Sequence, residues 1–182
     1  MPETTSPLSG AAPVLRAGLA RWLPGALGAG IAIALTGLAT HLLMNGEPAA
    51  PWLVASMGAT AVLVFVVPAS PLAQPWPVAG GHLLAAAIGL LARHAAADQW
   101  LAAGLAVGLA IGIMNLSRCL HPPAGGTVLL TALAPSDSAA AHLSFLVEPL
   151  AVNIAILLLL GWAWNRLTGH SYPHRAAPVP VP

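Results

Sequence analysis

The chain has 182 residues, 58% hydrophobic and 6% charged, against about 25% charged in an ordinary soluble domain. Six basic side chains, all arginine, against five acidic ones leave a net charge of +1, so neither a soluble fold nor a nucleic-acid or polyanion partner has support. The single cysteine, Cys119, excludes an internal disulfide and a Cys-based zinc site.

Residues 1–21, with Pro2, Pro7 and Pro13 among Ser and Thr, are expected to be a disordered lead. Arg16 and Arg21 precede a first apolar run long enough to be a retained span rather than a cleaved signal. Six apolar segments follow, at residues 24–44, 52–67, 78–95, 100–117, 123–134 and 145–167, inside a transmembrane domain over 22–168. Residues 169–182, rich in Pro and Ala, are expected to be a disordered tail.

A helix needs about 20 residues to cross a hydrocarbon core of about 30 Å. The second and fifth segments, of roughly 16 and 12 residues, reach only about 24 and 18 Å. Each must start or stop inside the membrane, where irregular backbone is tolerated only against protein or a watery cavity. The expected fold is therefore all-α, a polytopic membrane helix bundle with four full spans plus two short or partial membrane helices.

The two short segments also match each other. Residues 57–68 align with 124–135, with Gly58/Gly125, Thr60/Thr127 and Pro68/Pro135 identical. This suggests an inverted internal repeat, an arrangement of secondary transporters whose sites lie by interrupted helices at mid-depth. Arginines divide five to one between the two sides whether the short helices cross or double back as re-entrant hairpins. Either count puts both termini in the cytoplasm, and a bacterial inner membrane is the expected location.

The fifth segment opens with Ser117-Arg-Cys-Leu-His-Pro-Pro-Ala-Gly-Gly-Thr127. Pro123 suits a first helical position, and the following amides of Gly125 and Gly126, with the Thr127 hydroxyl, fit a helix N-terminus that binds an anion. Arg118 would set the field and His121, when protonated, would add to it. Gly58 and Thr60 are the counterpart in the second segment. Against this stands a packing reading, in which the small residues let helices approach and Arg118 snorkels to the headgroups. His82, after Gly80 and Gly81, is either interfacial or proton-handling. Glu148, before Pro149, is either a surface acid or a functional one.

Metal binding is not expected. His41, His94 and His142 lack ligand spacing, and Pro173 breaks the helical pairing of His170 with His174. No nucleophile–base–acid set or carboxylate pair supports an enzyme or a cofactor. Trp22, Trp52, Trp76, Trp100, Trp162 and Trp164 mostly fall at segment ends, as interfacial anchors do.

His121-Pro-Pro-Ala-Gly125, together with Met57-Gly-Ala-Thr-Ala-Val-Leu63, Pro68-Ala-Ser-Pro-Leu-Ala-Gln-Pro75 and Gly80-Gly-His-Leu-Leu84, resembles the HPP family of integral membrane proteins over about residues 24–168. The resemblance implies four transmembrane helices and, from plant plastid and cyanobacterial members, nitrite transport. Trp76 stands where many relatives carry a basic residue, which weakens the transfer of nitrite. Gly126 stands where many carry Ala, which opens the backbone further. The expected function is a transporter or channel for a small inorganic anion, nitrite first. The alternative is a non-transporting assembly or sensor module in which HPP packs and kinks the chain. So small a bundle is also suited to homo-oligomer formation.

Overall fold

The computed structural model describes residues 8–44, 53–93, 98–135, 138, 140 and 142–174, with side chains from Trp22 onward. Its helices are α1 (Leu8–Leu43), α2 (Ser56–Val66), α3 (Pro75–Ala92), α4 (Gln99–Leu116), α5 (Ala124–Ala132) and α6 (Val152–Leu167). A 3-10 turn at Pro71–Ala73 precedes α3, and a kinked stretch from Leu143 leads into α6. Four stretches are long and apolar enough to span: Trp22–Leu43, Pro75–Ala92, Gln99–Leu116 and Leu143–Leu167. α2 and α5, with 11 and 9 residues, are the two short helices.

Neighbouring contacts fix the direction of each pass. Gly25 leaves room for the carbonyl of Phe65, since a Cβ there would lie 2.7 Å from it, whereas Gly37 faces Leu53. α2 therefore runs antiparallel to α1 along most of its length. α6 runs parallel to α2, because Val54 N donates to Asn153 Oδ1 at 2.8 Å and Asn165 Nδ2 donates to Val64 O at 2.9 Å. α5 lies parallel to α3: Gly81 meets His121, Gly89 meets Thr131 and Val128, and Arg93 donates to Ala134 O. α4 returns beside α3, with Trp76 Nε1 donating to Ser117 O.

Both short helices therefore run through the bundle and neither doubles back. Of the two arrangements left open by length, the re-entrant hairpin does not form, because each short helix keeps one direction along its neighbour, α2 from Gly37 toward Gly25 of α1 and α5 with its opening loop from Gly81 toward Gly89 of α3. The proximal end holds the start of the α1 span, the α2–α3 and α4–α5 turns, Arg118 and the end of α6. The distal end holds Arg93.

The helices pack as two units. One core joins residues of α1, α2 and α6, with Val78 and Ala86 contributed by α3. The other joins α3, α4 and α5. Exchanging α1 with α4, α2 with α5 and α3 with α6 maps the extensive helix contacts onto one another: α1–α2 onto α4–α5, α1–α6 onto α3–α4, and α2–α6 onto α3–α5. Because α1 and α4 run in opposite directions, this is an inverted repeat in which each half lends its last helix to the other. Small residues make the close approaches, as membrane packing requires: Gly89 yields to Thr131, Gly161 to Val64, and Gly28 to the Trp164 indole.

Two boundary expectations are corrected. The lead is helical from Leu8, since residues 8–21 are rich in the helix formers Ala, Leu and Arg. The tail is docked through residue 174: Tyr172 is buried and its hydroxyl donates to Ala73 O at 2.8 Å, while His174 N donates to Gln74 Oε1 at 2.7 Å. Burial pushes the Tyr172 phenol upward from its ordinary pKa. Trp52, His94 and Arg175 lie outside the described residues.

Candidate functional site

Five side chains from α2, α3, α5 and the loop before α5 meet between the two units. Ser56 and Thr60, four residues apart, share one face of α2. His82 stands on α3, about 10 Å along the helix from its first residue at 1.5 Å per residue. Pro122 biases His121 away from helix, and Gly81 makes the seat for it, since a Cβ there would lie 2.7 Å from the His121 Cβ and 3.0 Å from Cys119 O. Thr127 comes from the first turn of α5.

These groups form one file of hydrogen bonds. Ser56 Oγ is 2.7 Å from Thr127 Oγ1, and Thr127 Oγ1 is 2.8 Å from His82 Nδ1. His82 Nε2 is 2.8 Å from Thr60 Oγ1, which is 2.9 Å from His121 Nε2. His121 Nδ1 is 2.8 Å from Leu72 O. The rings meet edge to face, with centroids 4.9 Å apart. Thr60, His82, His121 and Thr127 are fully buried, and Ser56 at the outer edge is half-buried.

The far end of the file dictates its polarity. Leu72 O only accepts, so His121 Nδ1 carries a proton, and in the neutral ring Nε2 accepts. Thr60 then donates to His121 in preference to Ser56 O, which lies farther off at 3.1 Å. His82 in turn donates from Nε2 to Thr60 and accepts at Nδ1 from Thr127, which accepts from Ser56. With both rings neutral every position in the file is satisfied, the condition under which a buried polar network is stable. The hydrogens follow from this network rather than from direct observation.

The described carboxylates, Asp98 and Glu148, are both exposed. Among the described residues no group of three His, Cys, Asp or Glu side chains is placed to hold a metal ion.

The structure rearranges the sequence-derived site. His121, Thr127, Thr60 and His82 come together, with His82 fully buried between Thr60 and Thr127. Gly125 and Gly126 do not supply free amides: Ala124 N donates to His121 O, Gly125 N to Pro122 O and Gly126 N to Pro123 O, at 2.9, 3.0 and 3.0 Å. Two prolines preset the backbone for a tight opening turn that consumes those donors, so the expected amide cradle for an anion is not formed. Gly125 instead lines an apolar cavity of about 320 Å³ beside Ala110 and Met114 of α4. Gly126 lies against Ser56, and Gly58 is exposed with open space where a Cβ would stand.

Arg118 is exposed at the proximal end, outside the file. Its φ of 54° places it in the left-handed region, where it closes α4: Cys119 N donates to Met114 O at 2.9 Å and Arg118 N to Asn115 O at 3.1 Å. Ser56 and the Leu72 carbonyl were not among the expected site residues. The spacing of Ser56 and Thr60 was the signal for the first, and the second had none, because a backbone acceptor leaves no trace in residue identity.

The described family HPP, transmembrane region, matches residues 15–173, a span that takes in all six helices' membrane portions and the docked Tyr172. A transmembrane protein of Dictyostelium discoideum is 36% identical over 126 residues, covering 66% of this chain and 44% of its own length. A second from the same organism is 39% identical over 94 residues, covering 50% of this chain and 30% of its own length. The chain thus spans less than half the length of either relative. No solved structure matches it. With His121 of HPP seated in the file and the family match running over most of its length, the chain belongs to the HPP transmembrane family.

Proposed function

We propose that this membrane protein transports a small monovalent inorganic anion, nitrite first, taken together with one proton at the Thr60–His82–His121–Thr127 cluster. One observation carries the reading. The file crosses the seam between two inverted three-helix units, with Ser56 and Thr60 on one side and His82, His121 and Thr127 on the other. Transporters built from inverted repeats bind substrate at such a seam and alternate access by rocking one unit against the other.

The chemistry suits an anion. A cationic imidazole alone in a low-dielectric core is costly, and the cluster contains no acid to balance one. An anion arriving with a proton supplies the missing charge, and the pair adds nothing net. Access lies at the Ser56 edge, where Gly58 and Gly126 leave backbone bare.

Orientation follows the arginines. Arg118 and Arg166 sit at the proximal end and Arg93 at the distal one, so the positive-inside rule assigns the proximal end and both termini to the cytoplasm, in a bacterial inner membrane. The test is nitrite uptake into proteoliposomes. His121→Gln and His82→Gln should reduce it by at least about 100-fold, the scale of a lost proton-handling group. Uptake at the wild-type rate in both variants would reject the reading.

A second reading has its own support. The file is complete without a ligand and the helix-start amides are taken, as a non-transporting assembly or sensor module would require. It predicts that the wild type moves no nitrite and that His121→Gln lowers stability.

A further inference from the structure

Resting on the transporter reading above, we infer that Ser56, Thr127, His82, Thr60 and His121 form a single-file proton relay that charges His121 from the Ser56 edge. Only the Ser56 end is half-buried; the four groups behind it have no exposed surface. Among the described residues the one branch is Thr60 Oγ1 to Ser56 O at 3.1 Å, a carbonyl that takes a hydrogen bond but does not carry a proton onward.

The relay balances atom by atom. A proton from water binds Ser56 Oγ as the Ser56 hydroxyl hydrogen passes to Thr127 Oγ1. The Thr127 hydrogen passes to His82 Nδ1, the His82 Nε2 hydrogen to Thr60 Oγ1, and the Thr60 hydrogen to His121 Nε2. One proton has entered and one has been gained by His121, which now donates from both nitrogens. His82 is neutral again with its hydrogen on Nδ1 instead of Nε2.

The shifted file is as well satisfied as the first. His121 donates to Leu72 O and Thr60, Thr60 to His82 Nε2, His82 Nδ1 to Thr127, Thr127 to Ser56, and Ser56 outward. Five hydrogen bonds of 2.7, 2.8, 2.8, 2.9 and 2.8 Å hold both states with no heavy atom displaced. The fixed acceptor at Leu72 makes this end the terminus: a carbonyl takes a hydrogen bond but does not carry a proton onward.

The surroundings leave the charge on His121 to be met by the anion. Around the file stand Cys119, whose Cβ lies against Gly80, and the Tyr172 hydroxyl, bound to Ala73 O next to Leu72. Arg93 reaches Ala134 O at the distal end, Arg118 is exposed, and the described acids Asp98 and Glu148 are exposed.

Nitrogen NMR of the full chain, labelled with ¹⁵N-histidine in bilayers, reads the relay directly. Acidification in the presence of nitrite should move His82 from the Nε2–H to the Nδ1–H tautomer as His121 becomes doubly protonated. Thr127→Val should slow proton uptake by at least about tenfold, and Thr127→Ser should restore it. A His82 that keeps its Nε2–H tautomer, or becomes doubly protonated while His121 stays neutral, would overturn the relay. So would wild-type proton uptake in Thr127→Val. Because the tautomer signal needs no net transport, a protein that takes up no nitrite yet shows the coupled shift would sink the transport reading and leave the relay standing.

Discussion

Thr60 holds one hydroxyl between two buried imidazoles, 2.8 Å from His82 Nε2 and 2.9 Å from His121 Nε2. With both rings neutral and His121 Nδ1–H given to Leu72 O, this hydroxyl donates to His121 Nε2 and accepts from His82 Nε2. Thr60→Val keeps the shape and deletes the link. The variant should lose about 1–3 kcal/mol of stability, the cost of leaving buried polar groups unsatisfied, and its nitrite uptake should vanish. Thr60→Ser should retain both. Thermal melting in detergent beside uptake in proteoliposomes separates the two effects.

The glycines near HPP should divide by what a methyl group would meet. Gly81→Ala drives a Cβ against the His121 Cβ and Cys119 O, at 2.7 and 3.0 Å, so the HPP loop must shift, at about 1–3 kcal/mol. Gly125→Ala meets nothing within 4 Å and should fold normally. A Gly125→Ala protein that fails to fold would favour a packing role for that residue.

The difference between those two glycines shows how far the sequence was legible. Lengths and proline positions gave the long and short helices, and the repeat flagged Thr60 and Thr127 as a pair. Neither could show that Gly81 is a seat and Gly125 is open, because that depends on a chain segment some forty residues distant. The amides after Pro123 read as free donors since residue types say nothing of whether an opening turn closes on its own carbonyls. His82 lacked a local signal: one histidine on an apolar helix looks the same at the interface and at depth. The docked Tyr172 hid in a proline-rich tail whose composition resembles disorder.

Arg118 is exposed and left-handed, a conformation that costs a non-glycine residue about 1–2 kcal/mol. Arg118→Gly should therefore match or exceed the wild type in melting temperature, with nitrite uptake little changed. Loss of uptake at unchanged stability would restore the field-setting role expected from its position beside HPP.

Tyr172 ties the segment after α6 to Ala73, the neighbour of the carbonyl that anchors His121. Tyr172→Phe should cost about 1 kcal/mol. Because burial raises the phenol's pKa in the fold, the neutral form is favoured there. Its contribution is complete below the ordinary tyrosine value of about 10 and is lost as pH rises toward the higher folded value. Melting curves across alkaline pH should fall more steeply for the wild type than for Tyr172→Phe, and equal slopes would refute the coupling.

The central claim is that one anion and one proton move together through the seam at His82 and His121. Nitrite accumulation in proteoliposomes, driven separately by a pH gradient and by a clamped membrane potential, tests it most directly. Electroneutral uptake that follows an inward proton gradient and ignores the potential is the predicted result. Uptake that follows the potential with no pH gradient, or no uptake under either, would contradict it.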